Sequence, residues 1–288
     1  MSARSDAWIS GGNQVRHGDH QIFVHDSGAD DRRTVVMVHG YPGSSLDFAG
    51  VADLLKARVF AMDLLGFGQS DKPLGATYSL FAQADLVEAL LQQAGIRRCV
   101  LVGHDMGTSV VAELVARHNR GELSFDVEQV VLTNGSIFID MAQLTAGQRR
   151  AEKLNGRPLP FGMPRRMIRR GILESVAPGT NVSDEDVDDL VNQIRVKNGS
   201  RVLTAIIAYL GERRRHQEQW TAAFVEYPGP MLAIWGTRDP VSVTAMPVRL
   251  RALRPQTRLV LLDDVGHWPT LESPRRVAEE ITAFCELA

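Results

Sequence analysis

An α/β fold built on a mostly parallel sheet is what this 288-residue chain predicts, and three observations carry the prediction. Short runs rich in valine, isoleucine and leucine recur along it, and such unbroken apolar runs read as strands buried on both faces. Amphipathic segments with helical spacing separate them, and that alternation means βαβ units. Between about residues 136 and 227 the strand signal stops, so helices alone are expected to interrupt a single domain.

Taken in order, residues 14–24 alternate apolar and polar positions and predict an antiparallel edge hairpin. Parallel strands are predicted at 34–38, 57–62, 99–102, 127–132, 231–235 and 257–262, with helices at 80–94, 108–117, 243–253 and 274–287. Inside the interruption, Ser183 stands before Asp184, Glu185 and Asp186. This is an N-cap followed by acids that favour a helix N-terminus, and the helix is expected to reach Asn198-Gly199. The clusters Arg165, Arg166, Arg169, Arg170 and Arg213 to Arg215 lie beside apolar positions at helical spacing and read as a solvated face. The domain division is therefore a core of residues 1–135 and 228–288, with a helical cap, or lid, of residues 136–227.

Composition narrows the partners. The chain is 44% hydrophobic with a net charge of −2, and its basic residues fall in short scattered clusters. No electrostatic footprint for nucleic acid or an anionic membrane stands out, and neither is expected as a partner. A small, largely apolar organic substrate fits better, with water as the second reactant. Cys99 and Cys285, the two cysteines, form neither a disulfide framework nor a metal spacing. No metal and no organic cofactor is expected. The N-terminal stretch lacks the apolar core of a signal peptide, no run approaches the roughly 18 apolar residues of a membrane span, and a cytoplasmic location is expected.

Reactive groups in parallel sheets collect at the carboxyl ends of strands. There the sequence places His39-Gly40-Tyr41-Pro42, Asp63, Asp105, Asn134, Asp239 and His267. Asp105, Asp239 and His267 make a nucleophile, an acid and a base in chain order. Asp105 stands in Gly103-His104-Asp105-Met106-Gly107, a sharp strand-to-helix turn whose glycines leave room for it. That turn lifts the carboxylate toward a pocket and points a helix N-terminus at it. The backbone N–H groups of Met106 and Tyr41 are the candidate oxyanion hole. His39, Asp63 and Asp71 read as loop-shaping residues.

HGYPGSSLDF (39–48), DLLGFGQSDKP (63–73), GHDMG (103–107), WGTRDPV (235–241) and GHWPTLESP (266–274) together resemble the α/β-hydrolase superfamily. The similar branch is that of epoxide hydrolases and haloalkane dehalogenases with an aspartate nucleophile, and the resemblance covers nearly the whole chain. It implies an α/β-hydrolase fold, with a mostly parallel eight-stranded sheet flanked by helices and an inserted cap. It also implies a hydrolase working through an alkyl ester on Asp105. A carboxylate is already ionised at pH 7 and attacks saturated carbon without a base, after which His267, oriented by Asp239, activates water.

The leaving group divides the branch. Haloalkane dehalogenases typically carry Trp after the nucleophile, with Asn or a second Trp completing the halide site, and here those places hold Met106 and Tyr41. Trp220 and Trp268 are the remaining candidates to line the substrate site. An epoxide oxygen instead needs an acid such as a phenol, and Tyr209 resembles one ring-opening tyrosine of epoxide hydrolases. The second family tyrosine, about fifty residues after the nucleophile, is absent from TAGQRRAEKLNGRPLP. Epoxide hydrolysis to a diol is the leading expectation. Hydrolytic haloalkane or haloacid dehalogenation is the alternative, and a non-catalytic ligand-binding member of the fold is the third reading.

Overall fold

The computed structural model describes residues 2–28, 33–154, 156–180 and 182–286. Eight strands, β1 (Gly12–His17), β2 (His20–Asp26), β3 (Thr34–Val38), β4 (Arg58–Met62), β5 (Arg98–His104), β6 (Asp126–Thr133), β7 (Met231–Gly236) and β8 (Arg258–Leu262), form one sheet. Its order is β1-β2-β4-β3-β5-β6-β7-β8. The β1–β2 hairpin and the β2–β4 pair are antiparallel, and all other pairs are parallel. This is the eight-stranded architecture that the resemblance implies.

The apolar runs have the predicted cause. In β3, Val36 and Val38 join the core on one face while Val35 and Met37 join the core on the other; Phe60 and Met62 oppose Val59 and Ala61 in β4. A strand whose successive side chains enter two cores has no wet face and cannot alternate.

Boundaries shift for identifiable reasons. The helix after β5 is Met106–Asn119 and begins two residues before the predicted start, because Gly107 belongs to its first turn. A side chain there would sit 2.1 Å from the Val38 carbonyl oxygen, so its absence lets the helix rest on β3. The final helix is Pro274–Cys285, and residue 287 of the predicted segment lies outside the described residues. An unanticipated helix, Ala3–Ser10, is N-capped by Ser2. Trp8 anchors it by stacking on His25 at 3.7 Å, since eight residues do not hold a helix alone.

Between β6 and β7 the described residues form helices and no strand. Ser183 caps Asp184–Arg195 in a reciprocal box with Asp186. That helix ends earlier than expected, because Lys197 and Asn198 take φ of 50° and 61° and break the α geometry. The solvated-face reading needs one correction: Arg213 is wholly buried. Its guanidinium donates to the carbonyls of Ser136 and Ile137 at 2.8 and 2.5 Å and lies over Trp220, so backbone oxygens replace water. Burial pulls its pKa down to about 9. No helix among the described residues is long and apolar enough to cross a membrane.

Candidate active site

Asp105 occupies the turn between β5 and the helix Met106–Asn119 with φ 48° and ψ −118°. A non-glycine residue held at positive φ is strained and needs surrounding structure to keep it there. Neighbouring glycines make the space. A side chain at Gly40 would lie 2.3 Å from Asp105 Cβ, and one at Gly103 would meet the backbone of Gly107 and Thr108 at 3.0 Å. Gly40→Ala is therefore expected to lose about 1–3 kcal/mol of stability through overpacking and most of the turnover with it. Chemical denaturation alongside a rate assay reads both losses.

The structure brings the three sequence candidates together. Oδ2 of Asp105 lies 3.3 Å from His267 Nε2, and His267 Nδ1 lies 2.8 Å from Asp239 Oδ2. The other Asp105 oxygen, Oδ1, accepts the Tyr41 backbone N–H at 2.8 Å. Met106 is the first helical residue, so its N–H is one of the donors a helix leaves without an internal partner. Asp105 thus presents one oxygen to the Tyr41 backbone N–H and the other to the imidazole.

Burial sets the electrostatics. Burial opposes charge on His267, yet Asp239 and Asp105 flanking it raise its pKa well above that of free imidazole. For Asp105, burial acts upward, but the His267 hydrogen bond and charge, helped by the Tyr41 N–H, outweigh it and hold the carboxyl below its usual range. Asp239 is likewise held low against burial by His267 and by hydrogen bonds from Asn134 and Val241. The two carboxylates therefore favour the protonated form of the imidazole that lies between them.

Several supporting residues carried no assigned role at the sequence level. Asn134 Nδ2 donates to Asp239 Oδ2 at 2.7 Å while its Oδ1 accepts the Gly236 N–H at 2.9 Å. The N–H groups of Val241 and Ser242 occupy Asp239 Oδ1 at 2.7 and 3.0 Å. His104 Nε2 lies 2.8 Å from the His267 carbonyl, which makes Nε2 the protonated nitrogen, and burial lowers its pKa to about 4. Glu272 accepts N–H groups from Gly266, Trp268 and Ala177, and Ser175 O accepts that of His267. The base is clamped from the helical segment as well as from the sheet. Asn134 was visible as a residue at a strand end and Glu272 as a member of the GHWPTLESP motif, whereas Ser175 carries no signal in the sequence.

The residues read as loop-shaping act as such. Leu64 N–H donates to His39 Nε2 at 3.0 Å and His39 Nδ1 donates to the Gly40 carbonyl at 2.9 Å. Asp63 accepts from Ser45 and Gln69, and Asp71 from Gln21.

A cavity of about 110 Å³ adjoins the triad, lined by Tyr41, His267 and Trp268 from the sheet edge and by Met163, Ile168 and Leu203 from the helical segment. Trp268 reaches it as expected, but its indole N–H is committed to Ser175 Oγ at 2.8 Å. Trp220 does not reach it, which corrects the sequence assignment. Its helix, Gln217–Glu226, packs on Met106–Asn119, and its indole donates to the buried Glu113 at 2.9 Å. Tyr209 is buried with its ring 6.3 Å from that of Tyr41. It lines a separate surface depression with Tyr78, Glu212 and Arg215, whereas Tyr41 lines the cavity. Burial, then the Asp105 charge, raises the pKa of both phenols, so both stay protonated. Among the described residues, no cluster of histidine, cysteine and acidic groups suits a metal ion.

Residues 33–274 match the alpha/beta hydrolase fold family. The chain is 37% identical over 273 residues to "Putative hydrolase LipZ" of Mycobacterium tuberculosis, covering 94% of each chain. It is 32% identical over 288 residues to the mesoderm-specific transcript homolog protein of Homo sapiens, covering 95% of this chain and 85% of that protein. Two solved structures share the fold: an alpha/beta hydrolase fold protein from Burkholderia ambifaria, with TM-score 0.80, 24% identity and coverage of 94% and 97%, and haloalkane dehalogenase DbeA from Bradyrhizobium elkani, with TM-score 0.76, 22% identity and coverage of 96% and 98%. The chain belongs to the α/β-hydrolase family, and it is a hydrolase of that fold.

Proposed function

We propose that the protein hydrolyses a small, largely apolar epoxide to a diol through a covalent ester on Asp105, with residues 136–227 as the cap over the site. The observation that carries this reading is the division of labour at Asp105: Oδ1 accepts a backbone N–H and Oδ2 faces His267. Oδ2 attacks the epoxide carbon, and the C–O bond breaks with its electron pair going to the departing oxygen. That oxygen takes a proton from a phenol. Tyr41 lines the cavity and is the first donor, with Tyr209, its ring 6.3 Å from that of Tyr41, as the second.

Alkylation removes the Asp105 charge, one of the two charges that raise the His267 pKa. His267 then gives up its proton, which returns through solvent to the phenolate left by ring opening, and becomes a base only after the ester exists. It takes a proton from water, and the hydroxide adds to Asp105 Cγ. The oxyanion forms at Oδ1 against the N–H groups of Tyr41 and Met106. Collapse breaks the Cγ–Oδ2 bond, His267 protonates the leaving diol oxygen, and Asp105 keeps one oxygen from water.

Neither tryptophan offers a free indole N–H to a halide, because Trp220 and Trp268 are bonded to Glu113 and Ser175. That disfavours dehalogenation. Incubation with terminal and aryl epoxides is expected to give diols; halide release from haloalkanes without epoxide turnover would replace this reading with the alternative. Tyr41→Phe is expected to slow epoxide opening by on the order of 10²-fold, with a smaller loss for Tyr209→Phe. Undiminished turnover in both variants would remove the phenols from the mechanism.

A further inference from the structure

Residues 144–174 hold eight arginines and lysines against two glutamates, a strongly positive stretch in a chain of net charge −2. Both glutamates are occupied, Glu152 by Arg214 and Glu174 by Arg170. Arg165 and Arg169 pair with Asp188 and Asp184. Arg150, Lys153, Arg157 and Arg166 are exposed and make no ion pair among the described residues.

Large apolar side chains stand among these cations. Phe161 is 101% exposed, with Met167 and Leu173 each at 47% and Leu154 at 42%. Phe161 is presented by a fixed backbone. Leu159 N–H donates to the Arg201 carbonyl at 2.8 Å, Met163 N–H donates to that of Ser200 at 3.1 Å, and a 3.2 Å bond from Gly162 to Leu159 closes the turn. Held on both flanks, the ring still packs on nothing. In the helix Arg165–Leu173, Ile168 and Ile172 face inward, Met167 and Gly171 line the cavity, and Arg166, Arg170 and Leu173 follow one another at helical spacing on the outer side.

We infer that this face, from Arg150 to Leu173, docks on an anionic lipid bilayer, with Phe161 entering the interface and the basic side chains meeting headgroup phosphates. Exposed apolar groups set among lysine and arginine are the pattern that binds such an interface. A second copy of the chain is the weaker occupant, because two-fold pairing of this face would set uncompensated cations against one another. The helix Ala146–Lys153 also supplies Gly147 and Gln148 to the cavity wall. Docking therefore turns the cavity-bearing side of the helical segment toward the lipid, where an apolar substrate would be dissolved. This inference stands on the surface alone and does not depend on the reaction proposed at Asp105.

Co-sedimentation of the full chain with vesicles tests it. Binding is expected to phosphatidylcholine vesicles containing roughly one phosphatidylglycerol in three, with little binding to pure phosphatidylcholine, and release in about 0.5 M sodium chloride. Neutralising Arg150, Arg157 and Arg166 with glutamine should lower the partition coefficient roughly fivefold per cation, and Phe161→Ser about tenfold. Arg251→Gln, exposed on the helix Ala245–Leu253, should leave it unchanged. Circular dichroism checks that the variants fold, which their exposure leads one to expect. Equal partition into both vesicle types, absence of binding, or undiminished binding of the variants would overturn the inference. So would a lipid-free dimer in ultracentrifugation that Phe161→Ser dissociates.

Discussion

His267→Gln is expected to stop the enzyme after one event per molecule, leaving a substrate-sized mass increment on the peptide that carries Asp105. Attack by Asp105 needs a carboxylate, and the Tyr41 N–H that holds Oδ1 remains in the variant. Hydrolysis of the ester needs a base at the position of Nε2, which glutamine does not supply. Steady turnover is expected to fall by on the order of 10³-fold or more, while the first alkylation proceeds. In the unmodified protein, a single turnover in heavy-oxygen water should label Asp105 and not the diol, because water adds to Cγ. Label in the product of that first turnover would sink the ester mechanism, as would an unmodified Asp105 peptide in the His267→Gln protein after exposure to a confirmed substrate.

Asp239→Asn is expected to cost on the order of 10⁴-fold in turnover, the size found when the orienting acid of a serine-protease triad is made an amide. The hydrogen bonds show why a near-isosteric change does such damage. Val241 and Ser242 direct two N–H groups at Oδ1, so the amide oxygen of the variant must lie there. Its NH₂ then occupies the place of Oδ2, facing the Asn134 amide and His267 Nδ1. Two donors are set against each other, and Nδ1 must accept. Nε2 then carries the proton and has no basicity toward water. Asp239 also raises the His267 pKa. Whatever activity remains should therefore hold to lower pH than in the parent, because a less basic imidazole stays neutral further into acid. A pH–rate profile that does not move downward would count against an orienting and electrostatic role for Asp239.

The strands were legible because double-sided burial writes itself locally: four consecutive apolar residues such as Val35 to Val38 have no other economical placement in a parallel sheet. The Asp105, Asp239 and His267 positions were legible because each follows a strand, and strand ends converge on one edge. Tyr209 and Trp220 were harder to place. Both lie on helices between β6 and β7, where a rotation of a third of a turn exchanges cavity for core and the residue type does not report the rotation. Trp220 was turned toward Glu113 by the packing of two helices, and Tyr209 lines a depression separate from the cavity.

Arg213 carries the same lesson from the opposite side. Beside Arg214 and Arg215 it reads as part of a wet face, yet the carbonyls of Ser136 and Ile137, more than seventy residues away, make its burial tolerable. Asn134 and Ser175 could not be read as parts of the His267 support either, since their partners come from distant segments.

By itself the sequence determined the sheet, the order of the reactive groups along its edge and the strained turn at Asp105, because each is dictated by residues adjacent in the chain. Tertiary structure alone decided which aromatic side chains reach the cavity, which arginine is buried and which of the cations around Phe161 make no ion pair among the described residues. Those outcomes depend on contacts between segments far apart in the chain, and no local pattern of residue types encodes the angle at which two helices meet.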